Sequence, residues 1–330
     1  MLVVQVHWHH RRSGVTTHVQ SICGPLSKDF EVRWLGSERP ESVPAITTSE
    51  VLARAAREKV IWHAHRNNDL IFASQARLLR PNLKVVFTRH GSYPPGAFSR
   101  WVAKWADVMI TLNEENAGWM KAPSVVIPHG VDTARFTPPA SREQAWAGLG
   151  HGGRYGIGVA GRVRENKGQG DFVEAIAPLL PKFPEWRAAL VGLALGDDVR
   201  WAEQLKAKTG GALLLPGESR EIHRWYQGFT VLVNPSHGES FGLTMVEGMA
   251  AGCCVVASNL FHVPGLIEHG RTGFIYPPRD MQALREILEQ LMREPQRAEQ
   301  VGRNAAEEAR ARMSITVETD AIAGVYKTLS

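Results

Sequence analysis

Two glutamates, Glu239 and Glu247, stand with seven residues between them in the stretch 229–257, FTVLVNPSHGESFGLTMVEGMAAGCCVVA. An apolar, β-branched run ending at Pro235 and a second run from Cys253 to Ala257 predict two buried strands, with a helix between them that begins near Phe241. The linking SHGES, short and polar around Gly238, has the composition of a tight turn that presents a helix N-terminus. There the backbone N–H groups of Phe241, Gly242 and Leu243 would point outward and could take phosphate or sugar oxygens. Glu239 at the mouth of the turn and Glu247 more than one turn inside the helix could accept hydrogen bonds from vicinal hydroxyls of the same ligand. The plainer alternative is a helix-capping carboxylate and an ordinary surface glutamate.

Cations recur at comparable positions. Gly161-Arg162-Val163-Arg164-Glu165-Asn166-Lys167-Gly168 follows a strand-like run, so Arg162 and Lys167 leave the carboxyl edge of a parallel sheet, where α/β folds bind ligands. Charge-assisted bonds to a diphosphate contribute about 1.5–3 kcal/mol each. In Ser13-Gly14-Val15-Thr16, Gly14 would let the backbone approach an anion closely, although any strand-to-helix turn can carry glycine. His90, in Thr88-Arg89-His90-Gly91, ends another strand; a lone histidine is most often a hydrogen-bonded structural residue. Three further patterns lead elsewhere. Gly156-Ile157-Gly158-Val159-Ala160-Gly161 matches a dinucleotide fingerprint only formally, because its glycines fall inside the strand. Gly238-Glu239-Ser240-Phe241-Gly242 matches a nucleophile elbow. A hydrolase using Ser240 is a remote alternative, since the only later histidines are His262 and His269 and the only acid between Ser240 and His262 is Glu247. Gly196-Asp197-Asp198 lacks the spacing of a metal-binding D-x-D motif and reads as a surface loop, so no metal site is expected.

The elements that must hold these residues alternate along the chain. A length of 330 residues suits two domains, and 44% hydrophobic with 22% charged residues is ordinary globular composition. No apolar run approaches the roughly 20 residues needed to span a bilayer. MLVVQVHWHHRR reads as a first strand rather than a signal peptide, which leads to the expectation of a cytoplasmic protein. Cys23, Cys253 and Cys254 show no metal-ligand spacing and read as small buried apolar residues. Strand-like and helical runs alternate through residues 1–140 and again through residues 155–312, which predicts an α/β protein of two doubly wound parallel sheets. The Pro-, Gly- and Ala-rich stretch 137–154 reads as their linker, and residues 313–330 as a terminal helix after a break near Met313 and Ser314. Residues 1–140 hold 17 Lys and Arg against 11 Asp and Glu, and the remainder 21 against 22. The whole cationic excess therefore lies in the first half, which suits an anionic partner.

The pattern E-S-F-G-L-x-x-V-E-x-M-A-x-G, followed by a strand and PGLIEHGRTGFIYPP, resembles the donor-binding segment of the retaining nucleotide-sugar glycosyltransferases of family 4 over residues 234–278. That resemblance implies the GT-B fold, two Rossmann-like domains facing a cleft, with the last helix crossing back to the first domain. It implies Glu239 on a donor-sugar hydroxyl, Glu247 on the ribose, and Arg162, Lys167, the helix start at Gly242 and Gly14 on the diphosphate. His90 would position the reacting sugar or stabilise positive charge at C1. PHGVD at residues 128–132 resembles the family's N-G-V-D turn with His129 in place of Asn, and reads as structural. Longer patterns, including RRSGVTTHV and ESREIHRWY, look like bacterial lipopolysaccharide core mannosyltransferases. They imply GDP-mannose as donor, used without metal or cofactor by same-face attack. The implied acceptor is an anionic inner-core glycolipid, rather than nucleic acid, met by a peripheral enzyme on the cytoplasmic face of the inner membrane. His9, His10, Arg11 and Arg12 are candidate acceptor contacts. A family 4 enzyme using a UDP-sugar on another glycolipid or polysaccharide is the alternative.

Overall fold

Apolar strands too short to shield themselves, each followed by a helix, build two layered units in the computed structural model, which describes residues 1–9, 13–91 and 93–330. Three of the acceptor contacts read from the sequence, His10, Arg11 and Arg12, lie outside the described residues. The strands are β1 (Leu2–His7), β2 (Glu31–Gly36), β3 (Val60–Ala64), β4 (Leu83–Arg89), β5 (Val108–Thr111), β6 (Val125–Val126), β7 (Tyr155–Ala160), β8 (Trp186–Val191), β9 (Leu213–Gly217), β10 (Phe229–Asn234), β11 (Cys254–Ser258) and β12 (Phe274–Tyr276). The helices are α1 (Gly14–Leu26), α2 (Thr48–Ala55), α3 (Asn67–Leu79), α4 (Ala97–Ala103), α5 (Glu114–Met120), α6 (Arg142–Ala147), α7 (Gln169–Ile176), α8 (Asp197–Lys208), α9 (Ile222–Gly228), α10 (Leu243–Ala250), α11 (Met281–Arg293), α12 (Pro295–Arg312) and α13 (Ile315–Thr328).

The first unit comprises Met1–Gly130 and Ile315–Ser330, the second Val131–Ser314. Both sheets are wholly parallel, in the orders β2-β1-β3-β4-β5-β6 and β12-β11-β10-β7-β8-β9. Strand order reverses between β1 and β3 in the first sheet and between β7 and β10 in the second, and such points open a crevice at the carboxyl edge. In the first unit, Val51, Leu70 and Val102 from α2, α3 and α4 cover one face of the sheet. The other face is covered by Val19, Ile22 and Leu26 of α1 together with Ile322, Val325 and Tyr326 of α13. The chain's last helix is thus core material of the first unit. Among the described residues no helix is long and apolar enough to cross a membrane.

The glycines of the formal dinucleotide fingerprint have a packing cause. A Cβ on Gly156 would lie 2.3 Å from the Trp146 ring, and one on Gly158 would lie 2.6 Å from the Phe229 ring. They sit in β7 because bulky rings press on the strand, and no cofactor is needed to explain them.

Two expectations need correction. Residues 137–154 are not a spacer: Trp146 of α6 is 1% exposed, and Arg142 donates to the carbonyls of Tyr226, Gln227, Phe229, Ala251 and Gly252. A buried tryptophan and a fully used guanidinium tie that stretch into the second unit, so the division falls at Gly130 and Val131. Asp197 and Asp198 are not in a loop either. They form the first turn of α8, where acidic side chains favour the helix dipole.

Candidate active site

In the second unit the loops after β7 and β10 meet at the switch point. After β7 a single 3₁₀ turn, Glu165–Lys167, ends at Gly168, whose φ of 70° is left-handed. A Cβ there would lie 1.9 Å from the Pro235 carbonyl oxygen, so only glycine lets the two loops touch. The His237 N–H donates to the Asn166 carbonyl at 3.1 Å, and His237 Nε2 lies 2.8 Å from Asp171 Oδ2. Stitched in this way, the loops bring Lys167 Nζ to 2.5 Å from Glu239 Oε2. The pair is about one-fifth exposed, 23% and 17% for the two side chains, and so remains reachable by a ligand.

The helix after this loop starts later than expected, at Leu243 rather than near Phe241. Gly242 at φ 80° takes a left-handed turn there, a conformation that ends regular structure upstream. Phe241 is consequently buried just before the helix, while the first-turn N–H groups of α10 open the site with no side-chain cap. Glu247 lies in the second turn and accepts from the Tyr226 hydroxyl at 2.9 Å. Burial pushes its carboxyl up to about 7, against the opposing pull of Tyr226 and Arg135. Arg162 is exposed and reaches Asp198 at 3.7 Å, a weak pairing that a diphosphate could replace. One ammonium, one guanidinium, an open helix start and two carboxylate acceptors make a site suited to an anion carrying hydroxylated groups.

Gly14 is the first residue of α1, exposed, with open space where a Cβ would be; the turn is held by a capping box between Ser13 and Thr16. His9 lies two residues past the end of β1.

His90, at the carboxyl end of β4, belongs to an array that the sequence did not suggest. Its Nδ1 lies 3.0 Å from His129 Nε2 and its Nε2 lies 3.1 Å from His65 Nδ1. His129 Nδ1 is 3.1 Å from Glu318 Oε1, His18 Nε2 is 2.9 Å from the same oxygen, and the Gly130 N–H donates to the other at 2.7 Å. An ionised Glu318 takes the Nδ1–H of His129, which leaves His129 Nε2 to accept from His90. Burial opposes ionisation of Glu318, but His18 and His129 outweigh it and hold the carboxyl well below its usual range. Burial also drives His90 and His65 well below the usual imidazole value, and His129 down to about 4, so these three rings are neutral at pH 7. The ligand-type atoms of His18, His129 and Glu318 lie within 4.8 Å of one another, a set that could hold a metal ion. The hydrogen bonds to one carboxylate already account for that closeness.

His129 therefore does more than shape a turn, and its substitution for Asn supplies a ring that links His90 to Glu318. The one sequence signal for the array is His63-Ala64-His65, whose period of two places both imidazoles on one face of a strand. Tyr226 and Glu318 carried no signal, because each acts on a partner far away in the chain.

Known families and relatives show what the whole chain is similar to. The description "Glycosyl transferases group 1" matches residues 142–308, and "Glycosyltransferase Family 4" matches residues 32–135. The lipopolysaccharide core biosynthesis mannosyltransferase LpcC of Rhizobium leguminosarum bv. viciae is 34% identical, over 99% of this chain and 96% of its own length. LpsB of Rhizobium meliloti, with the same description, is 32% identical over 99% and 97%. The crystal structure of Anabaena HepE in complex with UDP and glucose superimposes with a TM-score of 0.84 at 19% identity, covering 99% of this chain and all of that one, which shows the fold. With both units matched and the relatives aligned end to end, the chain belongs to the glycosyl transferases group 1 family, and it is a glycosyltransferase of the GT-B fold.

Proposed function

We propose that this glycosyltransferase is a retaining enzyme that moves mannose from GDP-mannose to an anionic lipopolysaccharide inner-core acceptor, without metal or other cofactor. The observation that carries the reading is the full-length likeness to two lipopolysaccharide core mannosyltransferases, together with the complete set of Glu239, Glu247, Arg162 and Lys167 at one switch point. Lys167, Arg162 and the N–H groups of Gly242 and Leu243 bind the diphosphate. Glu239 orients the sugar and Glu247 the ribose. As the glycosidic bond breaks, the cations stabilise charge growing on the leaving diphosphate, which takes the acceptor proton on the same face. His90 is neutral, with a carboxylate behind it through His129, so it adds no positive charge beside C1. Peripheral membrane contact is supported by α3 and α4, which expose Leu78, Leu79, Phe98 and Trp101 among Arg77, Arg80, Arg100 and Lys104. Family membership sets the hydrolase reading of Ser240 aside.

Calorimetric titration with GDP, UDP and ADP, with chelator and then with magnesium, tests the donor. Tight binding of GDP alone, equal in both conditions, is expected. A preference for UDP would keep the enzyme class and discard mannose, and binding only with magnesium would discard the metal-free mechanism.

Ribose binding should also depend on pH. With a carboxyl near 7, Glu247 goes from about one-tenth ionised at pH 6 to about nine-tenths at pH 8, and the ionised form is the better hydroxyl acceptor. GDP affinity is expected to rise up to about tenfold across that range in the native protein and much less in Glu247→Gln. Titration of GDP itself is common to both proteins, so parallel curves would remove Glu247 from the ribose.

A further inference from the structure

At the switch point of the first sheet lies a cavity of about 340 Å³, walled by Val15 after β1, His65, Arg66 and Asn67 after β3, and Arg89 and His90 after β4. Its volume is at the small end of clefts that hold small ligands, about one sugar-sized group. Its charge is unbalanced. Arg89 is 9% exposed and forms no ion pair among the described residues; it donates to the carbonyls of Gly91 and Tyr93 and lies over the Trp119 ring. The Arg66 side chain makes no hydrogen bond or ion pair among the described residues, and its Nε is closed off from water with no partner.

A buried cation without a counter-charge is costly unless something supplies one. Asp69 interacts electrostatically with Arg66, but its carboxylate accepts backbone N–H groups that precede α3, those of His65 at 3.3 Å, Arg66 and Trp8, and burial pushes it up to about 6. The other walls add donors and no further acid. Helix α3 is 13 residues long and follows Arg66, which gives it no side-chain cap, so its first-turn N–H groups face the same end. Asn67 Nδ2 donates to Ser99 Oγ at 2.8 Å on the rim. His65 and His90 are neutral, each with a ring nitrogen committed to the other.

We propose that this cavity is the subsite for the acidic group of the acceptor, a carboxylate or phosphate on a sugar residue, held by Arg66 and Arg89 with the open start of α3. The assignment rests on the reading of the acceptor as an anionic glycolipid, and it places recognition of that charge in the first unit.

The test uses the full chain and two substitutions, Arg66→Gln at the partly exposed position and Arg89→Gln at the buried one. A deacylated acidic acceptor is compared with the same acceptor methyl-esterified or dephosphorylated. Arg66→Gln is expected to raise the acceptor KM about 10- to 100-fold for the acidic form and to leave the neutral form within about twofold. GDP affinity should not move. An unchanged KM for the acidic acceptor with GDP binding intact would overturn the subsite. Arg89→Gln is interpreted only if it melts cooperatively, and Arg66→Gln decides the matter without it. If the native protein transfers to no acidic acceptor, the functional reading fails separately. The cavity is then judged by inorganic phosphate, which must raise the Tm of the native protein more than that of Arg66→Gln, the diphosphate site being common to both; equal shifts would overturn an anion site. Phosphate protection combined with an unmoved acceptor KM would mean a site for free phosphate and would overturn the acceptor assignment.

Discussion

Glu239→Gln is expected to cut sugar transfer by about 10²–10³-fold while leaving the Kd for GDP within about threefold. The two effects separate because Glu239 has two neighbours with different fates. Toward the sugar it is a charged acceptor for a hydroxyl, and an amide at the same place accepts more weakly and cannot follow the charge that develops at the reacting carbon. Toward Lys167 it is an ion-pair partner at 2.5 Å. Losing that charge frees the ammonium for the diphosphate and removes a carboxylate that repels it, so nucleotide binding has no reason to fall. Single-turnover transfer and GDP calorimetry on one preparation decide the point. Parallel loss of both would mean that Glu239 mainly tethers Lys167, or that the two glutamates have exchanged roles.

Glu318→Ala is expected to destabilise the first unit by about 3–5 kcal/mol, read as the change in the denaturant midpoint at unchanged slope. Glu318 is 4% exposed and is the common acceptor for His18, His129 and the Gly130 N–H. Truncation strands three donors in a closed space, and each unmade bond costs about 1–3 kcal/mol before relaxation. Glu318→Gln keeps one acceptor oxygen and should cost less. The pH dependence fixes the sign independently: a carboxyl held low in the folded state contributes stability that is complete above the ordinary carboxylate range and is lost as pH falls through the depressed value. The native protein should therefore lose this contribution only in acid, whereas Glu318→Ala lacks it at every pH. A variant as stable as the native protein at pH 7 would mean that the carboxylate is not the anchor of the histidine array. Transfer should fall too, since His129 without its acceptor no longer fixes the ring of His90.

The alternation of apolar runs with helical patterns was enough to derive two parallel α/β layers, and the stretch from the end of β10 to β11 was enough to propose a site for an anion with hydroxyls, which the family resemblance alone made a candidate donor site. Both rest on local rules. A buried parallel strand must be apolar along its length, and a helix start that faces an anion must present glycine and short polar residues next to the acid that works there. Lys167 and Glu239, 72 positions apart, meet only because each lies in a loop that leaves the carboxyl edge of the same sheet. The linker reading failed for the complementary reason: Pro, Gly and Ala set flexibility, but Trp146 and Arg142 found partners some 80 to 110 positions away that no local pattern contains. The same holds more strongly for the array around His90. Nothing near Glu318 in the chain announces that α13 will pack beside α1 and aim a carboxylate at His18 and His129, yet that contact sets which ring nitrogen of His129 carries the proton and, through it, which one of His90 does. Likewise no pattern along the chain links Arg66 and Arg89, and only the fold placed them around one cavity with no acid in its wall. The fold class and the candidate site residues around Glu239 and Glu247 were legible in the sequence because their determinants are neighbours along the chain; the charge state of the histidines and the unbalanced cavity were decided by tertiary structure, because burial and pairing are properties of what the fold brings together.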